Sequence, residues 1–288
     1  MREHVIQPAG SEMLFDMRPP GCEIVVGDAL SVLRNRESGT FRCCVTSPPY
    51  WGMRDYGTPA QIGAEAKLEE YVRNLTQILH EVRRVLTEDG TLWLNLGDTY
   101  TSGNRTRRDV DRKNPARAMC YRPSTPEGLK PKDLVGLPWR VAFALQADGW
   151  YLRSDIVWHK PNCQPESVKD RPTRAHEYLF LFSRSEQYFY DCEAVKEPSN
   201  SDSALRNRRT VWTINTEPFP GAHFATFPPR LVEPCVLAGS EPSDRVLDPF
   251  FGSGTVGQVC TRLARRFTGI EIKEEYAALA RRRLGWQG

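Results

Sequence analysis

Two short stretches hold residue types that could do chemistry. The first is Thr46-Ser47-Pro48-Pro49-Tyr50-Trp51, directly after a β-favouring run from Phe41 to Val45. Each proline fixes its own φ, lacks an N–H and pushes the residue before it out of the helical region. The chain must leave the strand as a stiff, extended loop. Its carbonyls and the Ser47 hydroxyl find no local partner, and aromatic residues follow. Such a loop can hold something flat and polar. A plain Pro-Pro turn beside core aromatics would read the same way in isolation.

The second stretch is Asp248-Pro249-Phe250-Phe251-Gly252-Ser253-Gly254-Thr255-Val256-Gly257. It follows a strand, Arg245 to Asp248, and opens a helix. Phe267 to Ile272 reads as the next strand, with Glu271 near its end. Gly252, Gly254 and Gly257 match the GxGxxG pattern of dinucleotide sites, a weak signal alone. The flanks argue against a pyrophosphate, because Asp248 places a carboxylate beside the glycines and would repel it. The same carboxylate suits a cationic amino-acid group such as the ammonium of S-adenosylmethionine. Glu271 would accept hydrogen bonds from ribose hydroxyls, and glycines let backbone approach a ligand closely.

The elements that must position these stretches are those of an α/β domain. Cys22 to Val26 is a short strand, followed by Gly27-Asp28 and a helical Ala29 to Leu33. Asp28 lies where α/β sheets bind ligands, and it also reads as a helix N-cap. Leu68, Tyr71, Val72, Leu75, Ile78, Leu79, Val82 and Leu86 repeat with helical spacing, and Asp89-Gly90 is expected to stop that helix. Thr91 to Leu96, Ser154 to Trp158 and Glu177 to Ser183 read as strands. Pro138 to Ala147 reads as a helix. Trp51, Arg54, Tyr56, Trp158 and His159 either face the site or pack.

The chain has 288 residues, 40% hydrophobic and 26% charged, ordinary for a globular enzyme. No apolar run approaches the ~20 residues of a membrane span, and no signal-peptide pattern opens the chain. The eight cysteines are scattered, so neither a metal site nor a disulfide framework is expected. A reducing cytoplasm is the simplest compartment. Net charge is only +3, yet Tyr100 to Lys132 holds nine basic residues against three acidic ones. Rich in Pro, Ser, Thr and Gly, it reads as a phosphate clamp, with Arg105, Arg107 and Arg108 foremost. Asp191 to Val211, with Arg206, Arg208 and Arg209, reads as a second nucleic-acid contact or as a connector. Residues 1–20 read as an N-terminal arm, and 21–288 as one catalytic domain with insertions at about 100–132 and 191–215.

With Ser47-Pro48-Pro49-Tyr50 and Asp248-Pro249-Phe250-Phe251-Gly252-Ser253-Gly254-Thr255 together, the chain resembles the DNA amino-methyltransferases that modify cytosine N4 or adenine N6. The resemblance spans roughly Glu23 to Leu284. The catalytic stretch precedes the cofactor stretch, the permuted order of the family's beta group. Gly27-Asp28, Asp155 to Asn162, His176-Glu177 and Phe227-Pro228-Pro229 resemble its smaller motifs. The resemblance implies a Rossmann-like, mostly parallel seven-stranded sheet with one reversed strand and helices on both faces. It implies S-adenosylmethionine as cofactor, held by Asp28 with Ala29, Phe227 and Pro228, and the Asp248 to Thr255 loop with Glu271. It implies double-stranded DNA as partner, a flipped base gripped by Ser47, Pro48, Pro49 and Tyr50, and no metal. It admits a homodimer and a cognate restriction endonuclease, in a bacterium, an archaeon or a phage.

Adenine-modifying members usually carry Asp where this chain has Ser47, and cytosine-N4 members usually Ser. The expectation is therefore cytosine N4, with adenine N6 the alternative. A cytosine-C5 enzyme would need a cysteine after a proline, and Pro234-Cys235 fits that dipeptide, but it lies in an apolar helical run and reads as core. An RNA methyltransferase of the same fold and a DNA-binding regulator with a dead site are the remaining rivals.

Overall fold

The computed structural model describes residues 19–55, 57–58, 61–103, 107, 122–199, 204–217 and 227–286. The arm up to residue 18, Tyr56, Arg105 and Arg108 lie outside the described residues.

One sheet organises the molecule. The strands of the described residues are β1 (Glu23–Val26), β2 (Phe41–Thr46), β3 (Leu86–Leu96), β4 (Tyr151–His159), β5 (His176–Ser183), β6 (Glu197–Pro198), β7 (Leu205–Arg206), β8 (Val211–Thr213), β9 (Arg245–Asp248) and β10 (Arg266–Glu271). Eight of them form the sheet, in the order β1-β10-β9-β2-β3-β5-β4-β8. Within it β5 runs against its neighbours, β3 and β4; the other pairs are parallel. The short strands β6 and β7 form a separate ribbon.

Period-two alternation sorts the strand side chains into two cores. Cys44, Leu92, Leu94, Leu96, Phe180, Phe182 and Leu247 face one layer, with α1 (Ala29–Arg34), α2 (Leu68–Val85) and α3 (Leu137–Ala147). Cys43, Val45, Trp93, Leu179, Leu181 and Val246 face the other, with α4 (Pro229–Gly239), α5 (Thr255–Arg262) and α6 (Glu274–Arg283). The predicted stripe of α2 is real, since Leu68, Tyr71, Leu75, Ile78, Leu79, Val82 and Val85 are all buried.

Two expectations need correction. The sheet has eight strands, not seven. The added edge strand β8 falls in the stretch read as connector or nucleic-acid contact. It forms because Trp212 is buried beside Trp93, at 6.3 Å between ring centroids, while Val211 stays exposed. The helix read up to Asp89-Gly90 ends at Val85. β3 starts at Leu86, and its register jumps from Phe41↔Leu86 to Cys43↔Thr91, so Asp89-Gly90 forms a bulge rather than a helix stop.

Gly269 of β10 makes room for the glycine-rich loop. A methyl group there would lie 2.3 Å from the Phe251 ring. Phe251 N donates to Ile270 O at 2.9 Å, so the loop is laced to this strand. Gly269→Ala is expected to lower stability by about 1–3 kcal/mol, as overpacking does. Urea denaturation measures it, and an unchanged midpoint would show that Phe251 yields freely.

Candidate active site

β2 and β9 are parallel neighbours, paired at Cys43↔Val246 and Cys44↔Leu247. Both end at the same edge of the sheet, where the connections diverge to opposite sides, the usual place for a ligand crevice. The loop after β2 is the proline stretch, and the loop after β9 is the glycine stretch. At the seam Thr46 Oγ1 donates to Asp248 Oδ1 at 2.7 Å, across 202 residues of chain. Phe250 N donates to the same oxygen at 3.1 Å. Asp248 Oδ2 is buried and receives no hydrogen bond from the described residues. Burial pushes the Asp248 carboxyl up from 3.8 to about 7, against the two hydrogen bonds that lower it.

Above the seam lies a cavity of about 160 Å³. Ser47 and Pro49 reach it from one loop, and Pro249, Phe250, Gly252, Ser253 and Thr255 from the other. Asp28 and Ala29, Phe227 and Glu271 also stand on its walls, as the sequence leads one to expect. Pro48, Tyr50, Pro228, Asp248 and Gly254 do not line it. Pro228 is the N-cap of α4, behind Phe227. Asp28 serves both readings: it caps α1 by accepting from Ser31 N at 2.9 Å, and it faces the cavity. Glu271 accepts from Gly252 N at 2.8 Å and Lys273 N at 2.9 Å. Two carboxylate oxygens offer about four acceptor sites, so it retains capacity for a ligand.

Behind Ser47 is a polar network that the sequence did not reveal as such. Tyr50 Oη donates to Glu177 Oε2 at 3.0 Å, and Asn95 Nδ2 donates to the same oxygen at 3.2 Å. Lys160 Nζ pairs with Glu177 Oε1 and sits 4.1 Å above the centre of the Trp158 ring. Burial and the neighbouring Glu177 hold the Tyr50 phenol well above its ordinary pKa, so it keeps its proton. Asn95 also donates to Tyr178 O at 3.1 Å. Its amide is thus oriented, because rotating it would set Oδ1 against two acceptors. Ser47 Oγ lies 3.2 Å from Asn95 Oδ1 and 3.2 Å from Tyr50 Oη. With the Tyr50 proton on the carboxylate, Asn95 Oδ1 takes the Ser47 proton, and the lone pairs of Ser47 Oγ remain for the cavity.

A family model described as DNA methylase, for the N6/N4 methyltransferases, matches residues 41–282. The chain belongs to this family. The Type II methyltransferase M.SmaI of Serratia marcescens is 62% identical over 265 residues, covering 91% of this chain and 90% of that one. The Type II methyltransferase M.Cfr9I of Citrobacter freundii is 63% identical over 264 residues, covering 92% and 88%. Among solved structures, the PvuII DNA methyltransferase (cytosine-N4-specific) has a TM-score of 0.67 at 22% identity, covering 90% of this chain and 85% of that one. A DNA modification methylase of Thermus thermophilus, TTHA0409, complexed with S-adenosyl-L-methionine, has a TM-score of 0.62 at 25% identity, covering 92% and 93%.

This DNA methyltransferase belongs to an S-adenosylmethionine-dependent family, and its cavity suits that cofactor. The orphaned Asp248 Oδ2 wants a donor from outside the chain, and Glu271 and Asp28 offer acceptors to hydroxyls. Other expected residues find structural work. Trp51 is buried, donating to Glu65 O at 2.9 Å. Trp158 is core, donating to Ile214 O at 2.8 Å, and His159 bonds Thr213 on the neighbouring strand. Cys235 is buried within α4, its thiol 3.2 Å from Leu231 O. Arg206 is ion-paired to Glu197 at 3.0 Å across the β6–β7 ribbon, and Arg208 stacks 4.4 Å over Trp212. Arg209 gives its carbonyl to Trp212 Nε1 at 2.7 Å.

The elevated Asp248 carboxyl makes stability depend on pH. Between pH 3.8 and about 7 the folded chain holds a proton that the unfolded chain has released. Stability therefore falls as pH rises through that window, and levels off above it. Without cofactor, the wild type is expected to lose roughly a few kcal/mol from this residue across the window, a loss absent from Asp248→Asn. Urea titrations of both proteins at a series of pH values measure this; parallel curves would refute it.

Proposed function

We propose that this methyltransferase transfers a methyl group from S-adenosylmethionine to the exocyclic amine of a base turned out of double-stranded DNA, and that the amine is N4 of cytosine. When bound, the cofactor supplies an electrophilic methyl group on its sulfonium. Asp248 Oδ2 would receive the cofactor's ammonium, and Glu271 its ribose hydroxyls. Asp28, Ala29 and Phe227 would close the remaining wall, with Pro228 fixing the turn that presents Phe227.

The observation that carries the reading is the polarity of Ser47. Its proton is drawn toward Asn95, so its oxygen stands at the cavity as an acceptor. The Pro48 carbonyl accepts no hydrogen bond among the described residues, whereas the Pro49 carbonyl is taken by Tyr71 Oη at 2.9 Å. Ser47 Oγ and Pro48 O would therefore accept the two N–H bonds of the amine. That pulls the nitrogen toward tetrahedral geometry and frees the lone pair from its ring. Positioning and fixed dipoles do the work, without a covalent intermediate on the protein. The surplus proton leaves to water, since serine is a poor base. Tyr50, held at its hydroxyl by Ser47, Asn95 and Glu177, is the proposed stacking surface for the flipped base.

Ser47 supports cytosine over adenine because the adenine-modifying members usually carry Asp there. The Type II names of the similar enzymes support a setting beside a cognate restriction endonuclease. Plasmid DNA treated with enzyme and cofactor, then digested to nucleosides for mass spectrometry, is expected to yield N4-methylcytosine; N6-methyladenine instead would overturn the base assignment. Ser47→Ala is expected to lower kcat about a hundredfold or more while leaving cofactor affinity unchanged. Cys235→Ala is expected to keep activity, and a folded but inactive Cys235→Ala would point to C5 chemistry.

For DNA binding, the proposed clamp is the basic segment holding Arg105, Arg107 and Arg108, with Arg206, Arg208 and Arg209 in a supporting role. Replacing the first three by glutamine is expected to weaken DNA binding. The slope of log K against log salt should shrink by about 0.9 for each phosphate that is no longer neutralised. An unchanged slope would remove them from the interface.

A further inference from the structure

Arg283, the last residue of α6, has no part in the site described so far, yet it reaches the glycine loop. Its Nη1 donates to Thr255 Oγ1 at 2.9 Å, to Ser253 Oγ at 3.1 Å and to Ser253 O at 3.3 Å. Its Nη2 donates to Gln258 Oε1 at 2.8 Å, which fixes the plane of the guanidinium. Ser253 and Thr255 are 6% and 3% exposed, and both line the cavity. Gly254 between them has φ +81°, and a methyl group on it would lie 3.0 Å from Ala280 of α6. Helix and loop are therefore closely packed, and the arginine is held where it acts.

A hydroxyl has one proton and two lone pairs. Arg283 can only donate, so it occupies a lone pair on each hydroxyl and leaves each proton to seek an acceptor. Among the described residues neither hydroxyl donates to the protein. Two O–H donors on a buried wall, backed by a cation and set at the N-terminus of α5, are suited to an anion. Elsewhere the cavity offers mainly acceptors: Asp28, Glu271 and, below its floor, Asp248. S-adenosylmethionine carries one anionic group, the carboxylate of its amino-acid end.

We infer that Arg283 is a positioning residue that turns the Ser253 and Thr255 hydroxyls into paired donors for the cofactor's carboxylate. The inference rests on placing the amino-acid end over the Asp248–Thr255 loop. Arg283 touches no cofactor atom; it sets the direction of two protons. With Asp248 opposite, the loop reads both charges of a zwitterion.

Calorimetry with two ligands tests this without turnover. S-adenosylhomocysteine keeps the amino-acid end, and methylthioadenosine lacks it. The wild type is expected to prefer the former. Arg283→Met is expected to weaken S-adenosylhomocysteine about tenfold while leaving methylthioadenosine nearly unchanged, as loss of a charge-backed hydrogen bond would. Arg283→Lys is expected to recover part of the difference. Equal weakening of both ligands would make Arg283 merely structural, and no weakening would make it idle; either overturns the inference. A wild type without preference would instead overturn the placement beneath it. Should Arg283→Met fail to fold, the Ser253→Ala/Thr255→Val pair must show the same selective loss, and adding Arg283→Lys to that pair must change the preference no further. A preference that survives the pair would equally sink the proposal.

Discussion

The hydrogen bond from Thr46 to Asp248 is the constraint on which the site depends. It joins the last residues of two parallel strands, and each continues at once into one of the two chemically equipped loops. Thr46 is fully buried and Asp248 almost so. The hydroxyl offsets part of the cost of burying the carboxylate on one oxygen only. The other oxygen is left short of a partner, which raises the group's pKa and makes the floor of the cavity receptive to a cation. Stability and binding are thus set against each other at a single residue, a common arrangement at functional sites.

Around that seam the cavity divides by polarity. The proline loop presents acceptors. The glycine loop presents hydroxyl donors supported from behind by Arg283, with Asp248 beneath. Glu271 ties the glycine loop to the end of β10 while keeping acceptor capacity. Each strand end thereby supplies a different part of the recognition, and the rigid sheet fixes the distance between them. A loop-built site would lack that fixed spacing.

The fold and the cavity's walls are largely legible in the sequence, because strand alternation, helical spacing and glycine placement are local signals. From sequence, Asp248 is expected to meet the ligand directly. It instead lies beneath the floor, since Thr46 holds it, a partner 202 residues away. Asn95 gives no warning at all: inside an apolar strand it resembles a misfit, and its role exists only because β3 lies between β2 and β5. Glu177 is visible only through resemblance to a family motif, and Lys160 likewise, until the antiparallel pairing of β4 and β5 brings them together. Arg283 resembles an ordinary basic residue at a helix end, where it complements the dipole. The eighth strand is equally silent, because a three-residue edge carries almost no periodicity.

The network behind Ser47 bears on the choice of base. Glu177 lies one side chain away from Ser47, through either Tyr50 or Asn95, and Lys160 is its cationic partner in the network. An aspartate at position 47 would add a second carboxylate to a partly buried cluster with one nearby cation, and like charges at such range disfavour joint ionisation. The aspartate would tend to be protonated and lose the acceptor strength that an adenine amine is held by in the adenine-modifying members. A serine avoids that conflict: it is neutral, its one proton has a fixed destination in Asn95, and its lone pairs face outward at any pH the protein survives. The surroundings of position 47 are therefore matched to a neutral acceptor, which is the physical reason to favour the cytosine amine over the adenine amine.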